Sequence, residues 1–303
     1  MNLARKAQKE TGYEEISLLS LSTGDYPRIT HILQALMREF RPKGVNISLP
    51  SLRIEKGIEN LPPIIEKMKK TGFTFAPEVG SEKLRNFINK NIDSKRLLKG
   101  AKTAYELGWR KLKLYFMIGF RGEDNSDLDA IIDMAVEIAD QARKNKRGGA
   151  SVTLSVSSFV PKPHTPFQWE AMDSAETLKE KMNYIRRNLK NYRIKLSTHN
   201  VDMSRLEAVF ARGDRSLADV IETAFLNGAR FDSWSDLLRI DIWRKAFLEH
   251  MINPDDYLKA RNYKEILPWE HIRAGISKDV LKKESIIARS HIAADECHPV
   301  SKL

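Results

Sequence analysis

Four short polar stretches carry the side chains best suited to chemistry, and each directly follows an apolar run. The first is Ser22-Thr23-Gly24-Asp25-Tyr26, where Gly24 permits a tight turn and the Asp25 carboxylate could accept hydrogen bonds from a ligand ammonium or cap a helix starting near Pro27. The second, Ala76-Pro77-Glu78-Val79-Gly80-Ser81-Glu82, offers a carboxylate and a hydroxyl, and Ser81 reads equally well as a helix N-cap. In the third, Phe116-Met117-Ile118-Gly119-Phe120-Arg121-Gly122-Glu123, two glycines would let backbone approach a flat ring, and Glu123 is expected to open the next helix. The fourth runs from Ser158 to Trp169, and its prolines Pro161, Pro163 and Pro166 enforce an extended loop.

These stretches gain meaning from the elements around them. Short β-branched runs alternate with longer segments of helical periodicity from residue 11 to about 200, the pattern of repeated βα units and a mostly parallel sheet. Strands are expected at Glu15 to Ser22, Val45 to Leu49, Phe73 to Pro77, Lys111 to Ile118, Ser151 to Phe159 and Arg193 to Thr198. Helices are expected at Tyr26 to Arg41, Gly57 to Lys70, Ser81 to Ile92, Ser94 to Leu107, Asp124 to Lys144 and Ser174 to Lys190. In such architectures ligands bind at the carboxyl ends of the strands, where all four polar stretches fall. Lys113 and Tyr115 alternate with Leu112 and Leu114 and should point into a barrel lumen, where the lysine would pair with a carboxylate or serve a substrate.

Beyond residue 200 the strand-like runs stop. Arg205 to Leu226, Ser235 to Met251, Asp255 to Ile266 and Lys278 to Arg289 read as helices, giving a barrel core over 1–200 and a helical extension over 201–303. The extension's aromatics, Trp234, Trp243, Tyr257, Tyr263 and Trp269, read as packing residues, with base stacking as the alternative.

The 303 residues are 42% apolar and 30% charged, which excludes a disordered, collagen-like or disulfide-stapled chain. Lys and Arg outnumber Asp and Glu by 51 to 40, a net charge of +11 that favours polyanionic partners. No long apolar run or apolar leader is present, so no membrane is implied and a cytoplasmic location is expected. The terminal Ser301-Lys302-Leu303 spells a peroxisomal address of low specificity. His291, Cys297 and His298 do not match a recurrent zinc spacing and read as a frayed tail, so no metal site is expected.

The runs Leu18 to Tyr26, Thr74 to Asn91, Lys111 to Glu123 and Phe159 to Trp169, in this order, resemble the radical S-adenosylmethionine (SAM) enzymes, specifically the B12-binding-type radical SAM family of unsettled reaction. The resemblance implies an α/β fold, a partial (βα) barrel of the radical SAM type missing its first strand, with an α-helical C-terminal extension. It implies a SAM site in which Gly24 and Asp25 hold the methionyl amine and Glu78 and Ser81 contact the ribose or amino-acid end. Ile118, Gly119, Phe159 and Val160 would pack on the adenine. It further implies a [4Fe-4S] cluster, with cobalamin in a full-length form, acting on a substrate that includes RNA or protein among its candidates.

One departure is large. The family's Cys-x3-Cys-x2-Cys loop is absent, and Cys297 is the sole cysteine. Met1 to Thr11 reads like the helix that follows that loop, so the chain as given is expected to be inactive alone and to need an upstream cluster-bearing segment or split-gene partner. Cys297 would also suit the start of a cysteine-rich tail of the kind the resembled subfamily carries. The alternative is a cluster-free barrel acting as an RNA- or protein-binding module. An aldolase-type barrel with Lys111 or Lys113 as Schiff-base lysine is a third option, although no P-loop, His-Glu-x-x-His helix or Gly-x-Ser-x-Gly elbow accompanies it.

Overall fold

Alternation along Lys111–Ile118 (β4) buries Leu112, Leu114, Phe116 and Ile118 and leaves Lys111, Lys113, Tyr115 and Met117 on the opposite face, as a strand covered on one side requires. The same holds for Phe73–Glu78 (β3) and Ser151–Ser158 (β5), and Ile194–Thr198 (β6) completes a parallel sheet of order β3-β4-β5-β6. A separate parallel pair joins Glu15–Ser17 (β1) to Asn46–Ser48 (β2). The computed structural model describes residues 1–18, 23, 26–48, 72–90, 93–144, 150–191 and 193–296. Gly24, Asp25, Cys297, His298 and the helix expected over Gly57 to Lys70 lie outside the described residues.

Parallel strands need crossovers, and the helices supply them on one face. Asn2–Thr11 (α1) precedes β1, and Ile29–Phe40 (α2) leads to β2. Glu82–Phe87 (α3) and Ser94–Glu106 (α4) connect β3 to β4, Asn125–Lys144 (α5) connects β4 to β5, and Ala175–Asn188 (α6) connects β5 to β6. Leu97 and Ala101 of α4, Leu128 and Ile131 of α5 and Leu178 and Met182 of α6 share one buried cluster with Leu112, Leu114, Val152 and Leu154. Three helix starts are capped by a local side chain. The Ser81 hydroxyl accepts from Leu84 N–H, Asp93 from Lys95 N–H and Ser174 from Thr177 N–H. This α/β arrangement, parallel strands with helices on one side, is that of a partial (βα) barrel.

The helical extension differs from expectation in three places. Arg205 to Leu226 is not one helix. Val201–Arg212 (α7) stops where Gly213 turns extended, and Asp214 accepts from Ser216 N–H at 3.0 Å to open Leu217–Leu226 (α8). Asp255 to Ile266 forms only a 3-10 turn, Pro254–Leu258, because tertiary partners take the backbone groups a helix would use. Leu258 C=O accepts from Met172 N–H, Lys259 C=O from Arg212, and Arg261 N–H donates to Trp169 C=O. Trp234 is 64% exposed, whereas Trp243 and Trp269 are buried as expected. The last two helices are Ile240–Glu249 (α9) and Lys278–Glu296 (α10). No helix among the described residues is long and apolar enough to cross a membrane.

Candidate functional site

The carboxyl ends of β3, β4 and β5 lie side by side, and three of the polar stretches meet there. β3 carries an irregularity between Phe75 and Glu78 that pairs Glu78 with Phe116, and Glu78 itself sits in the left-handed region at φ 71°. Its half-exposed carboxylate lies 3.5 Å from Lys90 Nζ. Ile118 pairs with Ser158, and Phe159 N–H donates to Ile118 C=O at 2.8 Å, so the β4 and β5 exits are joined by backbone. Neighbouring strands are about 4.8 Å apart, which sets Glu78, Ile118, Gly119 and Phe159 along one rim.

The turn after β4 is the most heavily anchored part of that rim. Gly119 takes φ 93°, a conformation strained for any side chain, and a Cβ there would come within 2.7 Å of Leu178 Cδ2. Its N–H donates to Glu123 Oε2 at 2.6 Å. The same oxygen accepts from Lys181 Nζ of α6 at 2.9 Å, and Lys181 also reaches Asp173 at 2.9 Å. From α3, Lys83 donates to Gly122 C=O at 2.9 Å and pairs with Asp124 and with the buried Asp127. Two lysines from different helices thus hold one glycine-containing turn. Glu123 therefore does not open α5, which begins at Asn125; its carboxylate folds back under the turn instead.

Burial shapes the charges here. The Glu123 side chain has no solvent exposure, and its Oε1 has no partner among the described residues. Burial raises the Glu123 pKa, and the Lys181 ammonium and Gly119 N–H do not fully offset this. Burial works against the Lys181 charge, yet Glu123 and Asp173 outweigh it and raise its pKa; Asp127 and Asp124 do the same for Lys83. A carboxyl whose folded pKa is raised contributes stability that is present below its unfolded value of 4.5 and lost as pH rises through the folded value. Glu123→Gln keeps an acceptor for Gly119 and removes that dependence. Thermal melts should show wild type gaining on the variant from about pH 7 to about pH 4; a difference that is flat or reversed rejects the assignment.

A second buried cluster covers the rim from outside. Phe120 lies 4.5 Å from Phe159, which meets Phe167 at 5.6 Å, and Phe87 meets Phe167 at 5.1 Å. Ala288 and Ile292 of α10 join Val79, Phe87, Phe120 and Phe159 in this cluster, and a Cβ on Gly122 would strike Ile292. The extension thus returns to brace the strand ends.

Among the residues singled out from the sequence, Glu78, Ile118, Gly119, Phe159 and Val160 come together on the rim, with Ser81 one turn further as the cap of α3. The Ile118 and Phe159 side chains are buried in packing, at 0% and 5% exposure, and Val160 is half-buried against the main core. Lys113 takes no carboxylate partner among the described residues; its ammonium lies 4.5 Å from the centre of the Tyr115 ring. Lys181, Lys83 and Asp173 escaped the sequence reading, because no spacing rule links positions such as 123 and 181. The buried Asp127 in the first turn of α5 was the single local signal.

Residues 1–135, which include three of the four polar stretches and the Gly119–Glu123 turn, match the Radical SAM superfamily. A protein of Methanocaldococcus jannaschii described as uncharacterized is 32% identical over 222 residues, 73% of this chain and 46% of that protein. The chain therefore spans about half the length of the curated relative it matches. A solved structure of L-ribulose 3-epimerase aligns with 95% of this chain and 99% of its own at 12% identity, with a TM-score of 0.34.

The superfamily implies SAM and a [4Fe-4S] cluster. Such clusters are held by several cysteine thiolates, and the 303 residues contain one cysteine. Among the described residues no group of three or more His, Cys, Asp or Glu side chains is placed to hold a metal ion. The donors of this chain do not fit the cluster.

Proposed function

We propose that this chain is the core of a radical SAM enzyme, with a barrel core over 1–200, a helical extension over 201–303 and SAM at the carboxyl ends of its strands. The observation that carries the reading is the superfamily match over residues 1–135. The anchored Gly119 turn beside Glu78 and Phe159 adds a rigid backbone edge of the kind a flat adenine needs. On this reading Gly24 and Asp25 hold the methionyl amine, Glu78 and Ser81 meet the ribose or amino-acid end, and Ile118, Gly119, Phe159 and Val160 border the adenine. The B12-binding-type family is the narrower version, and the superfamily match carries SAM and the cluster but not cobalamin. The cluster would come from an upstream segment or a split-gene partner in the cytoplasm, and the substrate stays open, with RNA and protein among its candidates.

The test uses the gene product as its source makes it, purified and reduced without oxygen and incubated with SAM. Release of methionine and 5′-deoxyadenosine is expected. Protein that carries no iron and releases neither product overturns the reading. The single cysteine favours one competitor, a cluster-free barrel that binds RNA through its excess of 11 positive charges. Its affinity for a single-stranded RNA must fall steeply with salt, and a flat titration removes it.

A further inference from the structure

The face of the β3–β6 sheet turned away from the helices has an unusual make-up for the inside of a domain. In register, Lys113 of β4, Thr153 of β5 and Lys195 of β6 form one row, and Tyr115, Ser155 and Ser197 form the next row toward the strand ends. All six side chains are exposed or half-exposed. Among the described residues neither the Lys113 nor the Lys195 ammonium has an ion pair or hydrogen bond. Lys113 Nζ lies 4.5 Å from the centre of the Tyr115 ring, which belongs to the next row. The four strands contain one carboxylate, Glu78, which lies at their far end and pairs with Lys90.

Two unneutralised ammonium groups with hydroxyl neighbours select a compact anion. The two lysine backbones, two strands apart, are separated by about 10 Å, within reach of two lysine side chains converging on one group. From Lys113 to Ile118 the strand rises about 16 Å, a length lined by hydroxyls and suited to a polar, elongated molecule. An apolar substrate would strand those hydroxyls without partners.

We infer that this face binds a small, hydroxyl-rich phosphomonoester, with Lys113 and Lys195 holding the phosphate and the serines and threonine of the two rows meeting its hydroxyls. Calling that molecule the substrate rests on the radical SAM reading; the binding site itself does not. No covalent step is involved, and Lys113 and Lys195 act as point charges on the phosphate oxygens.

The probe is ribose 5-phosphate, followed by ligand-observed NMR on the full chain, with ribose as the uncharged comparison. Wild type should bind ribose 5-phosphate and not ribose. Lys113→Met with Lys195→Met should weaken binding by about tenfold or more, the scale of losing hydrogen bonds to a charged group. Lys113→Arg with Lys195→Arg should retain it. Lys245→Met with Lys283→Met removes the same net charge in the helical extension and should bind as wild type. Thermal melts check that each variant is folded. Absent binding to wild type, equal binding of ribose, or equal loss in the control pair overturns the proposal. So does lysine dependence seen with a single-stranded RNA alone. The gene product as its source makes it, reduced without oxygen, is titrated with SAM in parallel: phosphate binding lost with SAM binding intact defeats this inference only, and the converse defeats the radical SAM reading only.

Discussion

Lys181→Met is expected to destabilise the fold by about 3–5 kcal/mol, the usual result of removing one partner of a buried ion pair. The reason lies in the asymmetry of the pair. Lys181 retains 15% side-chain exposure, whereas the Glu123 side chain has none and already leaves Oε1 without a partner. Without the ammonium, Glu123 must either hold an isolated charge in the interior or take up a proton, and either choice weakens its grip on Gly119 N–H. Asp173, 31% exposed, can turn to water and contributes less to the loss. Urea denaturation measures the effect, and pairing Lys181→Met with Glu123→Gln should restore most of it, because the amide still accepts from Gly119 N–H and leaves no desolvated charge. A loss below about 1 kcal/mol would show that the pair behaves as a solvated one.

Gly80→Ala should be nearly as severe for a different reason. A Cβ on Gly80 would stand 2.5 Å from Ile131 N, 2.7 Å from Asp127 C=O oxygen and 2.8 Å from the Ala130 carbonyl carbon, all backbone atoms of α5. Side chains can rotate away from an added methyl, but a helix backbone moves only as a unit. Overpacking of this kind costs about 1–3 kcal/mol where neighbours adjust, and here the upper end or beyond is expected. Moving α5 would also draw Asp127 from Lys83 and loosen the turn after β4. Gly72→Ala serves as the comparison, since its Cβ would find only Lys111 C=O at 3.8 Å, an ordinary contact. Equal stability losses at both positions would remove the steric explanation.

Both predictions concern contacts that the sequence announced only in part. The strand from Lys111 to Ile118 was legible because its alternation reports which face is buried, and the caps Ser81, Asp93 and Ser174 were legible because capping is a local bond. Gly119 was legible as a position needing unusual backbone. The turn at Glu123 was misassigned as a helix start because an acidic residue before a periodic run looks the same whether it caps the helix or bonds backward. The break at Gly213 and the irregular stretch after Leu258 were missed for a related reason: periodicity records the apolar face and not the competing claims on backbone groups.

By itself, then, the amino-acid order determined the βα alternation, the covered face of each strand and the placing of the polar stretches at strand ends, since these depend on periods of two and 3.6 and on local caps. Tertiary structure alone decided that Lys83 and Lys181, from different helices, close on one turn, and that α10 returns to brace the rim. It also decided that Lys113 and Lys195 share a face on which neither pairs with a carboxylate among the described residues. Charge partners across 58 residues are chosen by packing and desolvation, and neither has a period that a sequence can display.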